Sequence, residues 1–122
     1  AENYRTASYL SPQTINNYKK LRDIVLRRGI KLVCMQYPRR DVWGLKEPLG
    51  TEKGIIYAEN KTNFQEALKT NKIFDLFVDM FGGNFGHCTD LGNKLIAKNL
   101  AGVIMQEAFG RREKDMHKSV SN

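Results

Sequence analysis

A chain of 122 residues and 14.0 kDa, with 41% hydrophobic and 27% charged residues, suits one modest packed core and excludes a wholly disordered polymer. No apolar run approaches the ~20 residues of a membrane-spanning helix, and the polar opening Ala1-Glu2-Asn3-Tyr4-Arg5 carries no apolar core of a secretory leader. The net charge of +7 is uneven: residues 1–40 hold nine Lys/Arg against two acids, residues 41–110 seven against nine, and residues 111–122 four against two. Basic ends of this kind fit either a solvated helix face with a tail, or contact with phosphate or another anionic partner.

In chain order, Ser11-Pro12 is a helix start, a capping hydroxyl followed by proline at the first helical position. Ile15, Tyr18, Leu21, Ile24 and Val25 then recur at helical spacing, with Lys19, Lys20, Arg22, Arg27 and Arg28 on the other face and Gly29 as the stop. Ile30 to Tyr37 is short, mostly apolar and bounded by Gly29 and Pro38, the pattern of a buried parallel strand. Pro38-Arg39-Arg40-Asp41 then falls at that strand's carboxyl end, the edge where open α/β sheets bind ligands. Residues 42–53 read as irregular with a turn of helix at Val42 to Lys46, and Gly54 to Ala58 as a second strand. Asn60 or Thr62 is placed to cap a short helix over Asn63 to Leu68.

Ile73 to Met80 is apolar and aromatic but too short to type, and Gly82-Gly83-Asn84-Phe85-Gly86 reads as a loop. Thr89 reads as the cap of a last helix whose inward stripe is Leu91, Leu95, Ile96, Leu100, Val103, Ile104 and Phe109, closed by Gly110. The predicted organisation is one α/β unit over residues 1–110 and a polar, frayed tail over 111–122.

Only two histidines are available. His117 sits in the charged tail, whereas His87 lies between a glycine-rich loop and a helix cap, a position that exposes an imidazole and fixes it from behind. The stretch Phe77-Val78-Asp79-Met80-Phe81-Gly82-Gly83-Asn84-Phe85-Gly86-His87-Cys88-Thr89-Asp90-Leu91-Gly92-Asn93-Lys94-Leu95-Ile96-Ala97 closely resembles the last block of the SGNH (GDSL-type) hydrolases. That block pairs an acid with a histidine three positions later and continues into a Leu-Ile-Ala helix. Upstream, the basic helix, Arg28-Gly29-Ile30, the apolar strand and Gln36-Tyr37-Pro38 follow the same order, so the resemblance spans about residues 12 to 108.

The resemblance implies part of a flavodoxin-like three-layer α/β/α domain with parallel strands, and an esterase chemistry. In it a serine attacks an ester carbonyl, His87 takes its proton as general base, and Asn84 stands where the orienting acid belongs. Asn84 departs from the pattern: an amide can orient an imidazole but cannot stabilise imidazolium by charge. Asp79 and Asp90 lie nearby without the family's spacing. None of Ser8, Ser11, Ser119 and Ser121 lies in a Gly-Asp-Ser motif. The expectation is therefore the C-terminal half of such a domain, inactive alone, with the serine supplied by a missing N-terminal half. Two strands with three helices leave sheet edges to cover, so that half or a second copy of the chain is the expected partner.

Competing readings are a non-catalytic α/β interaction module and, with less support, a basic nucleic-acid-binding module. Cys88, beside His87 and near a helix start, allows a Cys-His nucleophile pair or a small buried residue; Cys34 on the strand reads as core. Neither cysteine indicates a compartment. No Cys-x-x-Cys or His-x₃-His spacing marks a metal site, and Gly82-Gly83-x-x-Gly86 lacks the lysine of a phosphate-binding loop, so no cofactor is expected. Phe74, Phe77, Phe81 and Phe85 read as core. Trp43, near Arg39 and Arg40, either lines a cleft or covers the sheet edge.

Overall fold

The computed structural model describes residues 10–80 and 86–111. Its elements run α1 (Pro12–Arg27), β1 (Leu32–Met35), α2 (Trp43–Leu49), β2 (Ile55–Ala58), α3 (Lys61–Ala67), α4 (Ile73–Leu76) and α5 (Asp90–Phe109). The chain is mixed α/β, and β1 and β2 pair in parallel with Leu32 opposite Ile55 and Met35 opposite Ala58. Among the described residues no helix is long and apolar enough to cross a membrane.

The local signals that begin and end the two long helices operate as read. The Ser11 hydroxyl accepts from the Thr14 N–H at 3.2 Å, and Pro12 occupies the first helical position. Gly29 turns the chain away at φ +69°, a conformation that costs glycine no Cβ clash. The Thr89 hydroxyl accepts from the Gly92 N–H, and Gly110 closes α5 in the left-handed region.

Four sequence expectations are corrected. The helix begun near Val42 continues through Pro48 to Leu49; proline removes one backbone bond there, but Leu45 and Leu49, one turn apart, are both buried and hold the turn in place. Asn60 stands at the N-terminal boundary of α3 without capping it. Its fully buried amide instead donates to the Gln36 carbonyl at 3.3 Å and accepts from Asn99 Nδ2 at 2.9 Å, joining the ends of β1 and β2 to α5. Within α5, Leu91 and Phe109 are exposed, and the residue buried outright is Gly92 in the first turn, packed against Leu76 and Cys88. Phe74 is likewise exposed rather than core.

The core is small and sits beneath the carboxyl edge of the sheet. Phe64, Leu76 and Phe77 are buried together, with Tyr37, Ile73, Met80, Cys88, Leu95 and Ile96 packed around them. The Phe64 and Phe77 rings meet in a tilted arrangement with centroids 5.4 Å apart. Each such side chain contributes about 1.5–3 kcal/mol by burial. α5 contacts β2, α3 and α4, whereas α1 contacts β1 and α2.

Candidate functional site

The untyped run Ile73 to Met80 resolves into two pieces. Ile73–Leu76 is a single helical turn, held at its start by Asp75, whose carboxylate accepts from the Lys72 N–H at 2.7 Å. Phe77 then turns extended and forms an antiparallel bridge with Cys88. On either side of that bridge the Val78 N–H donates to the His87 carbonyl at 2.7 Å, and the Thr89 N–H donates to the Leu76 carbonyl at 2.9 Å. The Thr89 hydroxyl closes the clamp by donating to the Asp75 carbonyl at 2.6 Å while it caps α5.

This antiparallel pairing settles which acid meets His87. With Phe77 opposite Cys88, Asp79 stands opposite Gly86, next to His87. The Asp79 carboxylate receives the His87 backbone N–H at 2.7 Å on Oδ1 and lies 2.8 Å from the ring Nδ1 through Oδ2. The two hydrogen bonds from one residue fix the imidazole in orientation as well as position. Both depress the Asp79 carboxyl below its ordinary range, the backbone N–H most and the ring next. With Nδ1–H directed at the carboxylate, the neutral ring carries its lone pair on Nε2. The His87 side chain is 65% exposed, so it is accessible to an incoming group.

Glycine is required at two points of this frame. A Cβ on Gly86 would run into the Asp79 backbone, and a Cβ on Gly92 would run into the Leu76 carbonyl and Cys88. From the residues just past β1, the Tyr37 hydroxyl donates to the Gly86 carbonyl and pins the residue before the histidine.

Of the residues marked in the sequence, His87 is therefore placed in a built environment, and Asp79, set aside for its spacing of eight, is the acid brought to it. Asn84 lies outside the described residues, as do Ser8, Ser119, Ser121, Phe81, Phe85, His117 and residues 112–122. Ser11 is committed to the α1 cap. Cys88 faces inward against Phe64, Leu76 and Phe77, while its neighbour His87 is exposed. Burial pushes the Cys88 thiol up, which is the wrong direction for a thiolate nucleophile. Burial raises the Cys34 thiol as well. Trp43 heads α2, with its backbone N–H on the Asp41 carboxylate at 2.8 Å. Among the described residues no three His, Cys, Asp or Glu side chains gather as a metal site would require.

A signal for Asp79 was present in the sequence. It is the pairing of the apolar positions Phe77 and Cys88: counting inward from them brings Asp79 alongside His87. No protein-family model, curated protein or solved structure matches this chain.

Proposed function

We propose that the chain is the histidine-bearing part of an SGNH-like serine ester hydrolase domain, with a flavodoxin-like parallel sheet completed by sequence outside the described residues. The observation that carries the reading is the two-point hold of Asp79 on His87 at the carboxyl side of a parallel sheet. In this reading Asp79 takes the orienting role that the resemblance gives to position 84. His87 Nε2 accepts the proton of a serine hydroxyl as that oxygen attacks an ester carbonyl. The imidazolium, stabilised by the Asp79 carboxylate, then protonates the departing alcohol. A water molecule, deprotonated in turn by Nε2, releases the acid from the acyl-serine.

The serine and the oxyanion donors come from the remainder of the domain, which in this reading docks beside β1. The parallel ladder turns the backbone polar groups of Leu32, Cys34 and Gln36 toward β2 and those of Val33 and Met35 away from it. Among the described residues nothing pairs that outer edge. Ile30 and Met35, at either end of β1, are exposed, and α1 buries no residue although Tyr18, Leu21 and Ile24 line one side of it. An edge of this kind favours another strand of the same sheet.

The test is hydrolysis of p-nitrophenyl acetate by the full natural chain, with intact-mass analysis after a fluorophosphonate probe. Turnover with a serine adduct is expected. His87→Ala should lower kcat by about 10²–10⁴-fold, and Asp79→Asn by about 10²-fold, less than for a buried acid because this one is partly exposed. A natural chain that forms no adduct and turns over no ester would leave a non-catalytic interaction module as the better account of the scaffold.

A further inference from the structure

The peptide unit that joins Gly86 to His87 is held at both of its polar ends. Its N–H, which belongs to His87, donates to the Asp79 carboxylate at 2.7 Å. Its carbonyl, which belongs to Gly86, accepts from the Tyr37 hydroxyl. In a trans peptide these two groups point in opposite directions, so phenol, peptide and carboxylate stand in series. Hydrogen bonds in series polarise one another: a carbonyl that accepts makes the N–H of the same unit a stronger donor. The phenol therefore acts on the Asp79 carboxylate through the peptide between them.

Tyr37, two residues past β1, is held so that its hydroxyl keeps this place. Its side chain packs against the cluster of Phe64, Leu76 and Phe77. Its backbone N–H donates to the Gln36 side-chain oxygen at 2.9 Å, and its carbonyl accepts from the Arg40 N–H at 2.9 Å. The Gln36 carbonyl in turn accepts from the buried Asn60 amide at 3.3 Å. On the far side Gly86 lies against the Asp79 backbone, with no room for a Cβ between them.

We propose that Tyr37 is a positioning residue for the His87–Asp79 pair: its hydroxyl fixes and polarises the Gly86–His87 peptide, so that the peptide N–H and the imidazole meet the same carboxylate together. The His87 backbone N–H is the first cause of the depressed Asp79 carboxyl, and it is the bond whose strength the phenol sets. The consequence for rate rests on the hydrolase reading, in which an anchored carboxylate keeps Nδ1–H engaged and the Nε2 lone pair free to accept a proton.

The test is Tyr37→Phe in the full natural chain, which removes one oxygen and keeps the ring. The control is Tyr57→Phe, because the Tyr57 hydroxyl also donates to a backbone carbonyl, that of Gly50 at the end of α2. Tyr37→Phe is expected to move the His87 amide proton upfield in NMR and the Asp79 carboxyl titration toward the ordinary aspartate value, whereas Tyr57→Phe should leave both in place. Hydrolysis of p-nitrophenyl acetate by Tyr37→Phe should fall about two- to tenfold in kcat with KM unchanged. Replacement of tyrosine by 3-fluorotyrosine keeps the contact with a more acidic phenol and should move the His87 amide proton downfield, an arm that stands even where Tyr37→Phe does not fold. Unmoved His87 and Asp79 signals in folded Tyr37→Phe, equal shifts in Tyr57→Phe, an unchanged kcat in a chain that turns over ester, or no downfield shift with 3-fluorotyrosine would overturn the proposal. The NMR arms need no ester turnover: the expected shifts without turnover would uphold the Tyr37 contact and remove the hydrolase reading, and turnover without the shifts would do the reverse.

Discussion

The two long helices were specified by the same local chemistry and have different fates. α1 and α5 each begin at a hydroxyl that accepts a backbone N–H three residues on, and each ends near a glycine of positive φ. Yet α5 is laid against β2, α3 and α4 and buries Gly92 at its first turn, whereas α1 buries no residue and leaves Leu21 half exposed at 51%. Caps are made within four residues of sequence, so they form wherever the right residues stand. Burial needs a second surface, and among the described residues α5 lies against β2, α3 and α4 while α1, against β1 and α2, buries nothing. The His87 end of the molecule is packed against the small core, and the α1 side is the one with area left to cover.

The strongest way to break this comparison is to remove packing at the His87 end. Phe64→Ala should cost about 3–5 kcal/mol, because a fully buried ring is lost from a core of few residues. Urea denaturation measures it. The same truncation on α1, Leu21→Ala, should cost less than about 1 kcal/mol in this chain by itself. If the outer edge of β1 and α1 are covered by the rest of the domain, the Leu21 change becomes costly only in the complete protein, and that difference reads out the contact directly.

Next in size is Gly92→Ala. The added methyl meets the Leu76 carbonyl and Cys88, so either α4 or the start of α5 must shift, at about 1–3 kcal/mol. Because Leu76 precedes the segment that presents Asp79, the shift should also loosen the His87 clamp. The measurement is thermal unfolding together with the His87 ring signals in NMR. A variant as stable as the parent would show that the close approach of α4 and α5 is not a constraint.

Cap removal offers a finer contrast. Thr89→Ala loses both the Gly92 N–H bond and the bond to the Asp75 carbonyl, and should cost about 1–2 kcal/mol; Ser11→Ala loses one exposed cap and should cost about 0.5–1 kcal/mol. Paired denaturation curves check the order. Equal costs would mean that the Thr89 bond to α4 adds nothing.

These contrasts indicate why some of the structure was legible in the sequence and some was not. Helix starts and stops and the parallel pairing of two short apolar strands depend on short-range patterns: Ser11-Pro12, Gly29, Thr89 and Gly110, and short apolar runs beside them. The partner of His87 depends on the register of an irregular antiparallel pair, which Phe77 and Cys88 set through packing. The resemblance pointed to Asn84, which lies outside the described residues; the pairing brings Asp79 to His87 from eight residues back. Asn60 shows the same limit: its residue type suits a cap, but the junction of β1, β2 and α5 left a buried polar gap that its amide fills. Long-range geometry set both contacts.

The smallest expected effect tests the Asp79 contact by titration. The carboxyl is held below the ordinary aspartate value of about 3.9, chiefly by the His87 backbone N–H and then by the ring. A depressed carboxyl lends stability that is fully present above the unfolded value and is lost as pH falls through the depressed folded value. The protein should therefore lose this contribution only below about pH 4, and Asp79→Asn should flatten that part of the stability profile while leaving the rest unchanged. In a carbon-13 NMR titration the Asp79 carboxyl should titrate below the ordinary aspartate value of about 3.9. His87→Ala should move it only part of the way back, because residue 87 keeps its backbone N–H when the ring is gone. Full recovery in that variant would assign the hold to the imidazole alone. No shift in the parent would mean that Asp79 and His87 are not in contact in solution, and the two-point hold that carries the proposed function would fall.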